Sequence, residues 1–306
     1  MGERLRELRR FAPVLRGLIA LCLLGGLVRF VDWGQFGQVF IQLSPLTVLG
    51  MLLCGTGARL LGVLRWRVLC GGLLEHPPTV LRLLRLGLLA EFVNLWLPSS
   101  LGGEVVRIGG MREHGSTAEA TWSVVIDRSL GLVGLLLALV PIALLVQLPV
   151  PISGVGLGLG MGALGLSVGI WARPRLVRMG GWAAALARLD PLRLMGALLL
   201  SAASPWCLVG AYWLFFSVLH PISVPRVAVF VLFSRFGRGI PLQLFGLTSV
   251  EGLMWMIGRF LDIPADPIGL SMGMNYFDKL VHSAIGGVVE LLSNGTALLR
   301  RLRPPE

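Results

Sequence analysis

Two stretches of this sequence put charge and helix breakers together inside an otherwise apolar chain. The first is "VNLWLPSSLGGEVVRIGG", residues 93–110, which holds Asn94, Pro98, Gly102, Gly103, Glu104 and Arg107. The second is "SRFGRGIPLQLFGLTSVEG", residues 234–252, with Arg235, Arg238, Pro241, Gly246 and Glu251. Downstream of each break an apolar run carries an acid–base dipeptide: Asp127-Arg128 in "VVIDRSLGLVG" and Asp278-Lys279 in "MNYFDKLVHSAIGG". Arginine suits this setting chemically, because its planar fork of donors matches the oxygens of a phosphate or carboxylate. Backbone N–H groups freed at a short helix start are a second source of anion binding. Ionisable side chains at membrane depth are costly and usually functional.

Each residue also has a plainer role. Glu104 and Arg107 stand three apart, the spacing of a structural ion pair on one helix face. In the other reading Arg107 meets a lipid phosphate and Glu104 orients it. Asp127 and Arg128 point about 100° apart on a helix, so they need not pair with each other. Arg128 is within reach of Glu104 or Glu91, or snorkels to the interface. Asn275, Asp278 and His282 share one helical face, with Lys279 beside it. His282 is a candidate proton carrier, and an interhelical hydrogen bond is its plainer use. Glu251 opens a helix, where a carboxylate suits the dipole.

The elements that position these residues follow from composition. Of 306 residues 55% are hydrophobic and 14% charged, where a soluble domain has about 25% charged. Apolar runs cover 11–31, 44–63, 86–97, 120–147, 152–172, 195–218, 227–240, 246–261 and 266–293. Several match the ~20 residues of a membrane span. The chain therefore reads as one polytopic all-α integral membrane domain, residues 1–306. The basic N-terminus followed by an apolar run reads as a retained first span, without a clear cleavage site.

The net charge is +11, and every basic residue but Lys279 is arginine. In a soluble protein this would suggest nucleic acid. In a membrane protein it places arginines in cytoplasmic loops facing anionic lipid, and nucleic acid is not an expected partner. Cys22, Cys54, Cys70 and Cys207 are scattered through apolar runs without metal or disulfide spacing, so no metal or other cofactor is expected. "GMGALG" at 160–165 has dinucleotide-type glycine spacing but lies in an apolar span, where small residues serve helix packing. "NGT" at 294–296 is a glycosylation triplet by pattern only. No hydrolase elbow or metal-binding histidine pair stands out, so no catalytic residue is named and an enzyme is the less favoured class.

Arginine counting sets an expected topology. Arg4, Arg6, Arg9 and Arg10 put the N-terminus inside, Arg65, Arg67, Arg82 and Arg85 mark the next inside region, and Arg173, Arg175, Arg178, Arg188 and Arg193 another. Arg300, Arg301 and Arg303 put the C-terminus inside. The short runs 86–97, 227–240 and 246–261 fit if residues 86–112 and 227–261 are re-entrant hairpins entering from opposite faces. The expectation is about six full spans plus two opposed hairpins, an inverted repeat with approximate halves 44–172 and 195–293. In such repeats broken helices meet near the midplane and build a binding site.

Residues 94–134 resemble the signature region of the flippase-like family, also called the lysylphosphatidylglycerol synthase transmembrane-domain family. The resemblance rests on Asn94, Pro98, Gly102, Gly103, Glu104, Arg107, Asp127, Arg128 and Gly131. "IPLQLFGLTSVEG" is similar to the family's later Pro/Gly-rich segment, ending here in Glu251-Gly252. Two positions depart: Glu104 stands where Asp is usual, and Leu244-Phe245 where small residues are common. The resemblance implies a bacterial inner-membrane protein that moves or helps make a lipid. Bifunctional members carry a soluble aminoacyl-transfer domain after the membrane part, and the 306 residues hold none, so translocation is implied rather than lysine transfer. The expected substrate is an anionic phospholipid, glycolipid or polyprenyl-linked lipid. The expected site comprises Asn94, Pro98, Gly102, Gly103, Glu104, Arg107, Asp127, Arg128, Arg235, Arg238, Glu251, Asp278 and His282. The alternatives are an accessory scaffold for a lipid- or glycan-synthesis enzyme, whose Glu104 and Arg107 would be tightly paired and dry, and an intramembrane lipid transferase.

Overall fold

A computed structural model of the chain describes residues 34, 43–97, 101–145, 181–239, 243–244 and 247–302, with the side chains of 143–145, 182–184, 186, 238–239, 243–244, 247–249 and 293–302 left aside. The elements are α1 (Pro45–Leu73), α2 (Val80–Trp96), α3 (Leu101–Met111), α4 (Thr117–Leu145), α5 (Gly181–Arg188), α6 (Pro191–Leu219), α7 (Val224–Arg235), a 3₁₀ turn (Phe236–Gly239), β1 (Gln243–Leu244), β2 (Leu247–Thr248), α8 (Ser249–Phe260) and α9 (Ala265–Leu302).

Local chemistry starts the long helices. Ser44 accepts the N–H of Thr47 at 3.1 Å and Pro45 follows it, which caps α1 with a residue whose missing N–H costs nothing there. Thr79 accepts from the Arg82 N–H at 3.3 Å at the start of α2. Ser116 and Glu119 form a reciprocal capping box at α4, with N···O distances of 3.2 and 3.1 Å. Asp190 and Pro191 open α6 in the same manner.

Three helices are long and apolar enough to cross a membrane: α1, residues Thr117–Ile142 of α4, and α6. A helix of 29 residues, as in α1 and α6, is about 44 Å long, more than the ~30 Å hydrocarbon core. They answer to the expected spans at 44–63, 120–147 and 195–218. The expected spans at 11–31 and 152–172 lie outside the described residues. The expected span at 266–293 falls within the continuous 38-residue helix α9, whose apolar run is interrupted by Asn275, Asp278, Lys279 and His282. Leu46, Leu49, Leu53, Leu60 and Leu64 make an exposed stripe along α1, and Leu192, Met195 and Leu199 another on α6. Against hydrocarbon such stripes carry no penalty.

Inside the bundle α1 packs along α6, α2 along α9, and α4 along α6. Two pairs of shorter helices fill the remaining space. α2 packs on α3, and α7 packs on α8. α3 has 11 residues and α7 and α8 have 12 each, so each is about 17–18 Å long and too short to span. α7 is buried on all sides, with Val227, Ala228, Val229, Phe230, Val231 and Leu232 consecutively inside, as expected of a helix apolar all round. Phe230 anchors it edge-on to Phe216 and Tyr212 of α6 at 5.5 and 6.1 Å. Between α7 and α8 the all-α expectation meets one exception. Gln243 pairs with Thr248 and Leu244 with Leu247 in an antiparallel two-residue ladder. The stretch carries Pro241 and Gly246 in sequence, which do not favour a continuing helix.

Candidate functional site

The charged residues of the interior gather into networks around α1. The first lies between α1, α3 and α4. Arg107 donates through Nη2 to Asp127 Oδ2 at 2.8 Å and through Nη1 to Glu104 Oε2 at 3.3 Å. Arg65 donates through Nε to the other Asp127 oxygen at 2.8 Å and through Nη1 to Ser201 Oγ at 3.4 Å. Arg128 pairs with the second Glu104 oxygen. The Arg107 guanidinium also lies over the Trp66 ring, 3.9 Å from its centroid, a cation–π contact strengthened by exclusion of water. Asp127 is 2% exposed and Arg107 8%, so this network is dry at its centre. Arg128, with a side chain 55% exposed, is its outer member.

The hairpin that carries Arg107 is closed by residues named from the sequence. Asn94, near the end of α2, accepts the Gly103 N–H at 2.6 Å and so satisfies a donor at the start of α3. A Cβ on Gly103 would stand 2.8 Å from the Ala90 carbonyl and 2.5 Å from the Asn94 side chain. Gly102 faces the Leu97 side chain just as closely. These three residues lock α2 to α3. Pro98 lies outside the described residues.

The second region joins α1, α2, α6, α7, α8 and α9. Arg59 of α1 donates through Nε to both oxygens of Glu91, at 3.1 and 3.2 Å, and through Nη2 to Asp278 Oδ2 at 2.7 Å. His282 donates Nδ1–H to the Asp278 carbonyl at 2.8 Å, since a carbonyl can only accept, and its Nε2 lies 3.1 Å from Thr56 Oγ1. Glu251 accepts from Lys279 Nζ at 2.5 Å and from Asn275 Nδ2 at 2.6 Å on the same oxygen. Asn275 Oδ1 in turn accepts from Arg235 Nη2 at 3.1 Å. Arg235 is 5% exposed, Asn275 5% and Glu251 3%. Arg238 lies in the 3₁₀ turn, and its side chain is outside the description.

The two regions follow one wiring rule. In each, the base of the acid–base dipeptide binds the glutamate on the second hairpin helix: Arg128 with Glu104, Lys279 with Glu251. In each, the acid binds an arginine of α1: Asp127 with Arg65, Asp278 with Arg59. The rule fails at one place. Arg107, three residues after Glu104, gives Asp127 a second cation, whereas Met254 stands three residues after Glu251 and is fully buried.

The structure brings Glu104, Arg107, Asp127 and Arg128 into one network, and Arg235, Glu251, Asp278 and His282 into the other region. Sequence reasoning missed Arg59 as a partner and counted Arg65 as a cytoplasmic marker, but Arg65 lies inside α1 with its side chain 13% exposed. Glu91, weighed as a partner for Arg128, belongs to Arg59. The signal was present in "TGARLLGVLRWRVLC", three arginines, Arg59, Arg65 and Arg67, within a span-length apolar helix. Trp66 gave no signal, because its stacking on Arg107 depends on a tertiary approach. Among the described residues no group of His, Cys, Asp and Glu is placed to hold a metal ion.

Neither curated proteins nor solved structures yield a match. The family described as the lysylphosphatidylglycerol synthase TM region matches residues 14–277, most of the chain and all of both charged regions save His282 and Lys279 with Asp278. This chain, an integral membrane protein built of helices, belongs to the lysylphosphatidylglycerol synthase transmembrane-region family, and with it to a membrane lipid-related role.

Proposed function

We propose that this protein moves a lipid with an anionic head group across the bacterial inner membrane, the head group passing through the charged interior while the tails stay in the bilayer. The observation that carries the reading is the burial of arginine-rich networks at two short helix pairs in a membrane domain. Buried charge at broken helices is the usual architecture of a transport path. The repeated wiring supports an inverted repeat, with α2–α3 and α7–α8 as opposed re-entrant hairpins and approximate halves 44–172 and 195–293. In this arrangement the domain spans residues 1–306, has six full spans, and keeps both termini cytoplasmic. The substrate is an anionic phospholipid, glycolipid or polyprenyl-linked lipid. The residues assigned to its path are Arg107, Arg128, Arg235 and Arg238, balanced by Glu104, Asp127, Glu251 and Asp278, with His282 as a proton carrier and Asn94, Pro98, Gly102 and Gly103 shaping the first hairpin.

The test is reconstitution into vesicles holding fluorescent anionic lipids, with quencher added outside to read the inner-leaflet fraction. Movement above protein-free vesicles, for at least one anionic class, is expected. Absence of movement across phospholipid, glycolipid and polyprenyl-phosphate probes sinks the proposal. A second reading, a non-transporting subunit that steadies a lipid- or glycan-synthesis enzyme, is favoured by one specific observation: Arg107 and Glu104 are paired and Arg107 is buried. Co-purification with such an enzyme, without lipid movement, would establish it.

A further inference from the structure

The two charged regions differ in how completely their arginines are satisfied. Arg107 spends both Nη atoms on carboxylates and stacks on Trp66, which leaves only its buried Nε without a hydrogen-bond partner among the described residues. Arg65 likewise binds Asp127, and Arg59 binds Glu91 and Asp278. Arg235 has no carboxylate partner among the described residues. Its Nη2 reaches Asn275 Oδ1 at 3.1 Å and the Tyr212 hydroxyl at 3.5 Å, both neutral. Its Nε and Nη1 are buried and have no hydrogen-bond partner among the described residues. Guanidinium offers five N–H donors and no acceptor, so this 5% exposed side chain holds unused donors and a charge met by no carboxylate among the described residues, only by the face of the Tyr212 ring 5.8 Å away. Such a group is expensive unless something meets it.

A cavity adjoins the Arg235 side chain. It has a volume of about 30 Å³ and is lined by Arg235, Tyr212, Asn275, Asp278, Leu208 and Ala211 among others. That is room for about two waters, or for oxygens of a larger group entering from outside. The carboxylate in the lining, Asp278, is bound to Arg59, which offsets its repulsion of an anion. Glu251, the nearest acid along the chain of hydrogen bonds, is bound to Lys279 and shares Asn275. Asn275 therefore turns its oxygen to Arg235 and its NH₂ to Glu251, which separates the cation from the acid that would otherwise neutralise it.

We propose that Arg235 is the residue of this path that directly contacts the anion, binding a phosphate-type oxyanion in the cavity between α1, α6, α7 and α9, and that Arg107 borders the path as a cation held by its own carboxylates. The ligand's chemistry is an oxyanion with exposed P–O oxygens, as in a phosphodiester head group or in free phosphate. This deepens the transport reading and rests on it for the lipid identity alone.

The test uses the full chain in detergent, titrated with short-chain phosphatidylglycerol, with inorganic phosphate, and with diacylglycerol as the phosphate-free control, and read by native mass spectrometry. The wild type is expected to bind a phosphate-bearing probe and not diacylglycerol. Arg235→Gln should weaken that binding at least about tenfold, the loss of a charge-assisted hydrogen bond or more. Arg235→Lys, which keeps the charge but not the fork, should weaken it less. Ala211→Val fills the cavity without touching charge and should also weaken it. Binding of lipid but not free phosphate names the head group as ligand, and equal binding of both names the free oxyanion class. Either result supports the site if Arg235→Gln abolishes it. If Arg235→Gln does not fold, Arg235→Lys and Ala211→Val decide. A folded variant at Arg235 or Ala211 that binds like the wild type overturns the proposal, as does a wild type that prefers neither probe to diacylglycerol. Lipid movement measured on the same variants reconstituted into vesicles separates the two proposals. Movement unaffected at Arg235 removes the site and keeps transport, whereas Arg235-dependent binding without movement keeps the site and removes transport.

Discussion

Replacing Asp127 by Asn tests whether the first network holds the fold. Asp127 accepts from Arg65 and Arg107 at 2.8 Å each and is 2% exposed. The two guanidinium side chains are 13% and 9% exposed. An amide keeps the shape but removes the charge and turns one acceptor into a donor facing a guanidinium. Removing one partner of a buried ion pair costs about 3–5 kcal/mol. At about 1.4 kcal/mol per power of ten, the folded-to-unfolded ratio falls by roughly two to three and a half powers of ten. Arg128→Ala is the contrast. Its side chain is 55% exposed, and exposed pairs contribute about 0–1 kcal/mol. Equilibrium unfolding in mixed micelles, with denaturing detergent as the variable, reads both. A double-mutant cycle with Arg107→Gln should give a coupling of about 1–3 kcal/mol between 107 and 127. The reasoning is refuted if Asp127→Asn costs less than about 1 kcal/mol, or no more than Arg128→Ala.

Gly103→Ala should cost about 1–3 kcal/mol in the same assay, since its Cβ would meet the Ala90 carbonyl and Asn94 at 2.8 and 2.5 Å; a neutral result would mean that α2 and α3 are not locked at this point. Ser116→Ala should cost about 0.5–2 kcal/mol by removing the α4 capping box, and a matching loss for Glu119→Ala would show that the two act together. A nitroxide at Leu53, 63% exposed on the α1 stripe, should collide in bilayers with oxygen and hardly with a water-soluble nickel chelate. Preference for the chelate would contradict a lipid-facing stripe.

What the sequence made legible depended on the range of the interaction. Membrane class and the spans at α1, α4 and α6 follow from apolar length, a property of each segment alone. The hairpin of Asn94, Gly102, Gly103 and Glu104 was also visible, because helix breakers and charges within a few residues mark an irregular turn. Pairing was harder. Glu104 with Arg107 is local and readable, but Arg65 with Asp127 joins residues far apart in the chain, and nothing in either segment names the other. Arg65 was assigned to a loop because charge near a span end usually marks one, and only packing shows it turned inward. The difference between Arg107 and Arg235 was invisible for the same reason. Both are arginines beside a helix break, and their roles separate only when the number of carboxylates within reach is known.

Arg59 adds a consequence for biogenesis. Its two acidic partners lie at very different distances along the chain: Glu91 is 32 residues away and Asp278 is 219. At about 5–20 residues per second of synthesis, Glu91 is made within about 2–6 s of Arg59, and Asp278 only after about 10–45 s. During the interval α1 sits in the membrane with an arginine one of whose two carboxylate partners does not yet exist. Glu91 is the escort that keeps that charge neutral while the rest of the chain is made, and Asp278 arrives as the latch that joins α9 to α1.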